Sequence, residues 1–68
     1  MSISVESVRV GKKYFLRNNR EYHEFKIIRA TGSNDFICED LSSMERYKLS
    51  ELTVYGIGKD YEFFELDM

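Results

Sequence analysis

The chain has no proline, one cysteine and one histidine in 68 residues. No apolar run approaches the ~18 residues that a membrane-spanning helix needs. The single cysteine, Cys38, excludes an intramolecular disulfide, and with only His23 beside it there is no Cys/His cluster to hold a structural metal. Without proline, repeats or low-complexity stretches there is no linker, so one domain is expected. The segment MSISVESVRVGKK has neither a basic n-region nor a long apolar h-region, so no signal peptide is expected. A lone reduced cysteine fits a reducing interior, which makes the cytoplasm the expected location.

What the chain does have is aromatic residues. A domain this short buries only roughly 60% of its unfolded surface, so the fold must rest on its own core or on a partner. Five phenylalanines and five tyrosines supply large units of buried area for that purpose. The net charge of −2 conceals an asymmetry. Before Asp35, Arg9, Lys12, Lys13, Arg17, Arg20, Lys26 and Arg29 stand against Glu6, Glu21 and Glu24, a net of +4. From Asp35 onward three bases face nine acids, a net of −6. Interleaving of the two halves in a compact fold would neutralise both; otherwise the bipolarity marks a local patch or self-association.

Short β-prone runs at close, even spacing with turn residues between them point to a small barrel. Strands are expected at Lys13 to Arg17, His23 to Ala30, Asp35 to Asp40 and Met44 to Lys48. One helical turn follows at Leu49-Ser50-Glu51-Leu52, then a fifth strand at Thr53-Val54-Tyr55, ended by Gly56. The expected boundaries are a barrel over 1–58 and an aromatic, acidic extension over 59–68. Periodicity over so few residues leaves Asp60 to Leu66 open between a strand and a helical turn.

Register can be read from the residues. With Thr31-Gly32-Ser33-Asn34 as a four-residue loop, Ile28 lies opposite Ile37, Ile27 opposite Cys38 and Lys26 opposite Glu39. With Ser42-Ser43 as a two-residue turn, Glu39 faces Arg46, Cys38 faces Tyr47 and Phe36 faces Leu49. Lys26, Glu39 and Arg46 then form a charge ladder on the solvent face. Phe25, Ile27, Phe36, Cys38, Tyr47 and Leu49 collect on the other face as a core. A slip of one residue would bury the charges. Ile28 and Ile37 sit together on the solvent face and need a cover, for which the tail around Phe63 and Phe64 is the nearest candidate.

This organisation resembles the SH3-like small barrels, and among them the Tudor-type domains. The turn Leu49-Ser50-Glu51-Leu52 sits where that superfamily has a 3-10 turn between its fourth and fifth strands. Ile37 to Ser43 falls in the region of the Tudor Asp-aromatic-Gly-Asn turn, and Tyr47-Lys48-Leu49-Ser50-Glu51-Leu52 follows at matching spacing; the similarity runs from Tyr14 to Tyr55. Leu41 replaces the turn aromatic and Ser42-Ser43 the Gly-Asn. The resemblance implies a five-stranded barrel. Of the aromatic cage that holds methylated lysine or arginine in such domains, Tyr22 matches one wall and Leu41 departs from another.

Enzymatic chemistry is not expected. Cys38 pairs with Ile27, four residues along the strand from His23, so thiol and imidazole stand roughly 13 Å apart at ~3.3 Å per residue. Gly56-Ile57-Gly58-Lys59 lacks Walker spacing, and no cofactor is implied. Asp40 and Glu45 would face each other near the Ser-Ser turn, but catalysis by such a pair needs a cleft, which a barrel of this size is not expected to have. With Tyr22 and His23 the two acids form an aromatic, acidic rim suited to a cationic side chain. The expected function is therefore a non-catalytic binding module. It would meet a protein partner or a second copy through that rim and through Ile28, Ile37, Phe63 and Phe64. The alternative is RNA or DNA binding on Lys12, Lys13, Tyr14, Arg17 and Arg20. A pI of about 5.3 weighs against that.

Overall fold

In the computed structural model residues 3–66 are described, apart from the side chain of Glu6. Asp67 and Met68, the end of the expected extension, lie outside the described residues. Five antiparallel strands form one sheet: β1 (Lys13–Asn18), β2 (Glu21–Ala30), β3 (Phe36–Asp40), β4 (Arg46–Lys48) and β5 (Glu62–Glu65). Their order is β4-β3-β2-β1-β5, a four-stranded meander to which the last strand returns beside the first. Short 3-10 turns lie at Val5–Ser7 and Leu49–Thr53.

Alternation along β1 sends Tyr14, Leu16 and Asn18 inward and leaves Phe15 and Arg17 on the outer face. Their inward partners are Phe25 and Ile27 on β2, Cys38 on β3 and Phe63 on β5, all fully buried, with Leu49 of the second 3-10 turn closing the layer. Tyr14, Phe25 and Phe63 pack as a tilted triangle with centroids 5.7 to 6.4 Å apart. Buried side chains of this kind each contribute about 1.5–3 kcal/mol. The expected core face is present; Phe36 and Tyr47 are only partly buried against it.

The central hairpins keep most of the expected register. Ile27 lies opposite Cys38, Lys26 opposite Glu39, Glu39 opposite Arg46 and Cys38 opposite Tyr47. Arg46 Nε meets Glu39 Oε2 at 3.3 Å. The Ile28–Ile37 pairing does not form, because a bulge between Ile27 and Arg29 brings Arg29 opposite Ile37. Ser42-Ser43 is not a two-residue turn. Two-residue hairpin turns need positive φ, which serines disfavour. Here Met44 takes that conformation instead, at φ 66°, and β4 starts only at Arg46. The loop is closed by Asp40, whose Oδ1 accepts the amides of Ser42 and Ser43 and the Ser42 hydroxyl.

The expected strand at Thr53-Val54-Tyr55 is absent. Thr53 ends the second 3-10 turn, Val54 has α-helical backbone angles, and Val54 and Tyr55 are exposed. Among the described residues neither Val54 nor Tyr55 is paired in the sheet. The fifth strand comes instead from the tail, where Phe63 enters the core and Phe64 takes the outer face against Phe15. Leu49 thus opens a 3-10 turn and does not face Phe36 in a ladder. The tail runs along β1, two strands from Ile37, and does not cover the isoleucines.

Candidate binding groove

Two tight turns and one buried amide build a groove at the end of the β1–β2 hairpin. Asn19 and Arg20 connect the strands with φ of 52° and 70°, the left-handed pair of a type I′ turn, without glycine. The carboxylate of Asp60 compensates, its two oxygens accepting the Asn19 and Arg20 amides at 2.9 and 2.8 Å. The Arg20 amide first, then that of Asn19, hold the Asp60 carboxyl below its usual value against partial burial. Asn18 beside the turn is buried. Its Nδ2 donates to the carbonyls of Leu52 and Gly56, and its Oδ1 accepts the Gly58 amide at 2.8 Å. The irregular stretch after the second 3-10 turn is thereby pinned to β1.

At the start of that 3-10 turn, Ser50 donates its hydroxyl to Asp35 Oδ2 at 2.6 Å and its amide to Oδ1. Burial pushes the Asp35 carboxyl up, but hydrogen bonds from Ser50 and Phe36 and the charge of Lys48 leave it lowered overall. Glu51 accepts the Lys48 amide. The result is an open groove of about 520 Å³ between hairpin and 3-10 turn. Its walls are aromatic and acidic. His23, Tyr47 and Tyr55 stand with Glu21 and Glu51, and Leu52, Asn18 and Asn19 complete the lining. His23 meets Tyr47 edge-on at 5.9 Å. The expectation that so small a fold lacks a cleft is corrected: the 3-10 turn, tied to Asp35 through Ser50 and to Asn18 through the Leu52 carbonyl, leaves an open space between itself and the β1–β2 hairpin.

The expected rim is divided between two faces. Tyr22 and His23 are neighbours on one strand and point to opposite sides; His23 lines the groove while Tyr22, opposite Arg17, is 68% exposed on the outer face. Asp40 is occupied in holding its turn: the Ser43 and Ser42 amides keep its carboxyl at about 2, and its Oδ2 accepts the Tyr47 hydroxyl at 3.2 Å. It positions Tyr47 and does not stand free as a rim acid. Burial, then the Asp40 charge, push the Tyr47 phenol up. Glu45 is exposed outside the groove. Ile28 and Ile37 are half-buried and Phe63 is fully buried, so of the four expected apolar contacts Phe64 is the one that remains clearly open.

The expected basic patch does not converge either. Tyr14 is 1% exposed, its hydroxyl accepting the Arg9 amide, because the inward side of β1 falls on it and the outward side on Phe15. Lys12 and Lys13 lie at one end of β1, Arg17 and Arg20 at the other. Arg17 is ion-paired with Glu62. Cys38 is buried, and burial pushes its thiol up to about 12, so it stays protonated and unreactive in the core. Among the described residues no group of His, Cys, Asp and Glu is arranged to hold a metal ion. No described helix is long and apolar enough to cross a membrane.

The sequence reading did not anticipate Asn18, Glu51, Leu52, Tyr55 or Asp60. The bonds of Asn18 and Asp60 join residues about forty apart, and local patterning carries no trace of them. The Asn19-Arg20 turn carries no glycine to mark its positive φ angles. No family model matches the chain, and neither curated proteins nor solved structures include a significant match.

Proposed function

We infer that this is a non-catalytic interaction module, SH3-like in arrangement, whose groove receives a cationic side chain from a protein partner. The observation that carries the reading is the composition of the groove. Tyr47 and Tyr55 bring aromatic rings, Glu21 and Glu51 bring carboxylates, and no lysine or arginine is among the lining residues. A guanidinium or ammonium group gains from both kinds of neighbour. The SH3-like assignment draws support from the meander order, the return of β5 beside β1 and the 3-10 turn that precedes it.

The test is a titration of the labelled protein with capped pentapeptides carrying a central Arg, Lys, Glu or Leu, followed by amide chemical shifts. Arg and Lys peptides are expected to shift His23, Tyr47, Glu51 and Tyr55 together. Tyr55→Ala, a change at a 95% exposed side chain, is expected to weaken that binding by about two- to fivefold, the worth of one exposed cation–π contact. Equal shifts from the Leu peptide, or shifts elsewhere on the molecule, would refute it.

A further inference from the structure

The outer face of the sheet, opposite the core and away from the groove, gathers rings toward one end and bases toward the other. Tyr22, Phe15 and Phe64 lie on adjacent strands β2, β1 and β5, with ring pairs 6.2 and 4.9 Å apart and planes inclined by 21° and 25°. Tyr22 and Phe64 end this row and are exposed, at 68% and 39%. Further along the strands, Lys13 and Lys26 are direct cross-strand partners, a relation in which like charges repel. The bulge in β2 turns Arg29 onto the same face, in a row with Ile37 and Lys48.

Among the described residues the ion pairs on this face are Arg17–Glu62 and Arg46–Glu39. They cancel, which leaves Lys13, Lys26, Arg29 and Lys48 against Glu24 at the outward positions of the strands, four bases to one acid and a net of +3. The whole chain carries −2, so everything else carries −5. The acidity of the molecule as a whole thus conceals a face of the opposite sign. Lys48 shares its field with Asp35, whose carboxyl it helps to lower. Glu39, opposite Lys26, is taken by Arg46. The uncommitted bases are therefore Lys13, Lys26 and Arg29.

We propose that this face binds single-stranded nucleic acid, with bases on the aromatic row and phosphates on Lys13, Lys26 and Arg29. Every base presents a flat π-system, so unpaired bases of any sequence can continue a row of near-parallel rings. Lys13 stands two residues from Phe15 on β1 and Lys26 four from Tyr22 on β2, roughly 7 and 13 Å at ~3.3 Å per residue. A strand that stacks on the rings and runs along the sheet therefore brings its backbone to the bases. A second copy of the chain would set +3 against +3. A duplex would keep its bases from the rings, and an acidic peptide would satisfy the lysines but leave the rings unused. The acidic groove, on the His23 side of β2, is separate from this face.

Fluorescence anisotropy of a labelled oligothymidylate and a labelled oligouridylate of about ten nucleotides, within the site sizes of such surfaces, decides it. Binding of either strand by the full chain is the expected result, and the tighter of the two identifies the sugar. From about 20 to 200 mM salt the affinity is expected to fall about a hundredfold, the slope of about −2 that three phosphate contacts give on a single strand. Lys26→Gln and Arg29→Gln, both at exposed positions, should each make that slope shallower by about 0.7. Tyr22→Ala, checked for fold by circular dichroism, should weaken binding at least about fivefold through the loss of a stacked base, and Tyr22→Phe should keep it. Tyr55→Ala should leave it unchanged, which separates this face from the groove. No binding at low salt, binding indifferent to Tyr22→Ala, or equal binding of the duplex with oligoadenylate would overturn the proposal. So would binding to phosphatidylserine vesicles, lost in Lys26→Gln, with neither strand bound, since the face would then serve a membrane.

Discussion

Replacing Asn18 by alanine removes a side chain that joins the first strand to a loop some forty residues away. Its amide makes three hydrogen bonds, to the carbonyls of Leu52 and Gly56 and to the amide of Gly58. Gly56 O keeps a donor in Asn19 Nδ2 at 3.3 Å, so two main-chain groups lose their partner. With about 1 kcal/mol for each net bond and about 1–3 kcal/mol where a buried group is left unsatisfied, the loss comes to about 2–4 kcal/mol. A domain of this length has a stability of about 3–10 kcal/mol in all. The midpoint of thermal unfolding should therefore fall by roughly 8–30 °C, and the urea midpoint with it. Asn18→Leu retains most of the volume and should lose nearly as much, which separates hydrogen bonding from cavity formation. Amide exchange should accelerate first at Gly58. If both variants stay within about 0.5 kcal/mol of the wild type, the pinning role of Asn18 is wrong.

Acid should destabilise the protein over a defined window. Asp40 titrates at about 2 in the folded state against a usual value of 3.8, and Asp35 and Asp60 are also lowered. The unfolded chain then binds more protons in that range, so the stabilisation is complete above about pH 4 and is lost as pH falls toward 2. A urea midpoint that holds level from pH 5 to 2.5 would contradict this; Asp40→Asn should flatten part of the slope. Cys38 should resist iodoacetamide at pH 8 in the folded protein and react in urea, because its thiol is buried and raised to about 12; fast labelling without denaturant would show an open core. Gly58→Ala would press a methyl onto Asn19 Oδ1 and crowd Asp60, with an expected loss of about 1–3 kcal/mol by overpacking, read from thermal melts; an unchanged midpoint would mean that the turn yields freely.

Local chemistry was enough to read the central meander. The pairs Ile27–Cys38, Lys26–Glu39 and Cys38–Tyr47 follow from a side-chain period of two joined by short loops, where a slip would bury charge. The helical turn at Leu49 was legible for the same reason, as was the face that Phe25, Ile27 and Cys38 share. The bulge at Ile28 was not, because a single extra residue leaves the hydrophobic pattern on either side intact. Nor was the identity of the last strand. Thr53-Val54-Tyr55 and Glu62–Glu65 are both β-prone, and what separates them is a vacant edge on β1 that only the tail reaches.

The sequence by itself determined a small all-β domain, the strands of its centre, which residues of those strands face inward, and the absence of a disulfide. Tertiary structure decided which surfaces are left to work. It put Tyr22 and His23 on opposite sides, buried Tyr14 and Phe63, used Asn18 to tie the second 3-10 turn and the stretch after it to β1, and used Asp60 to brace the Asn19-Arg20 turn on the other side of the groove. The physical reason is range. Alternation and turn preference act over a few residues, whereas the hydrogen bonds that shape the groove and the ladder that seats Phe64 beside Phe15 join parts of the chain some forty to fifty residues apart, where a sequence pattern records neither partner's position.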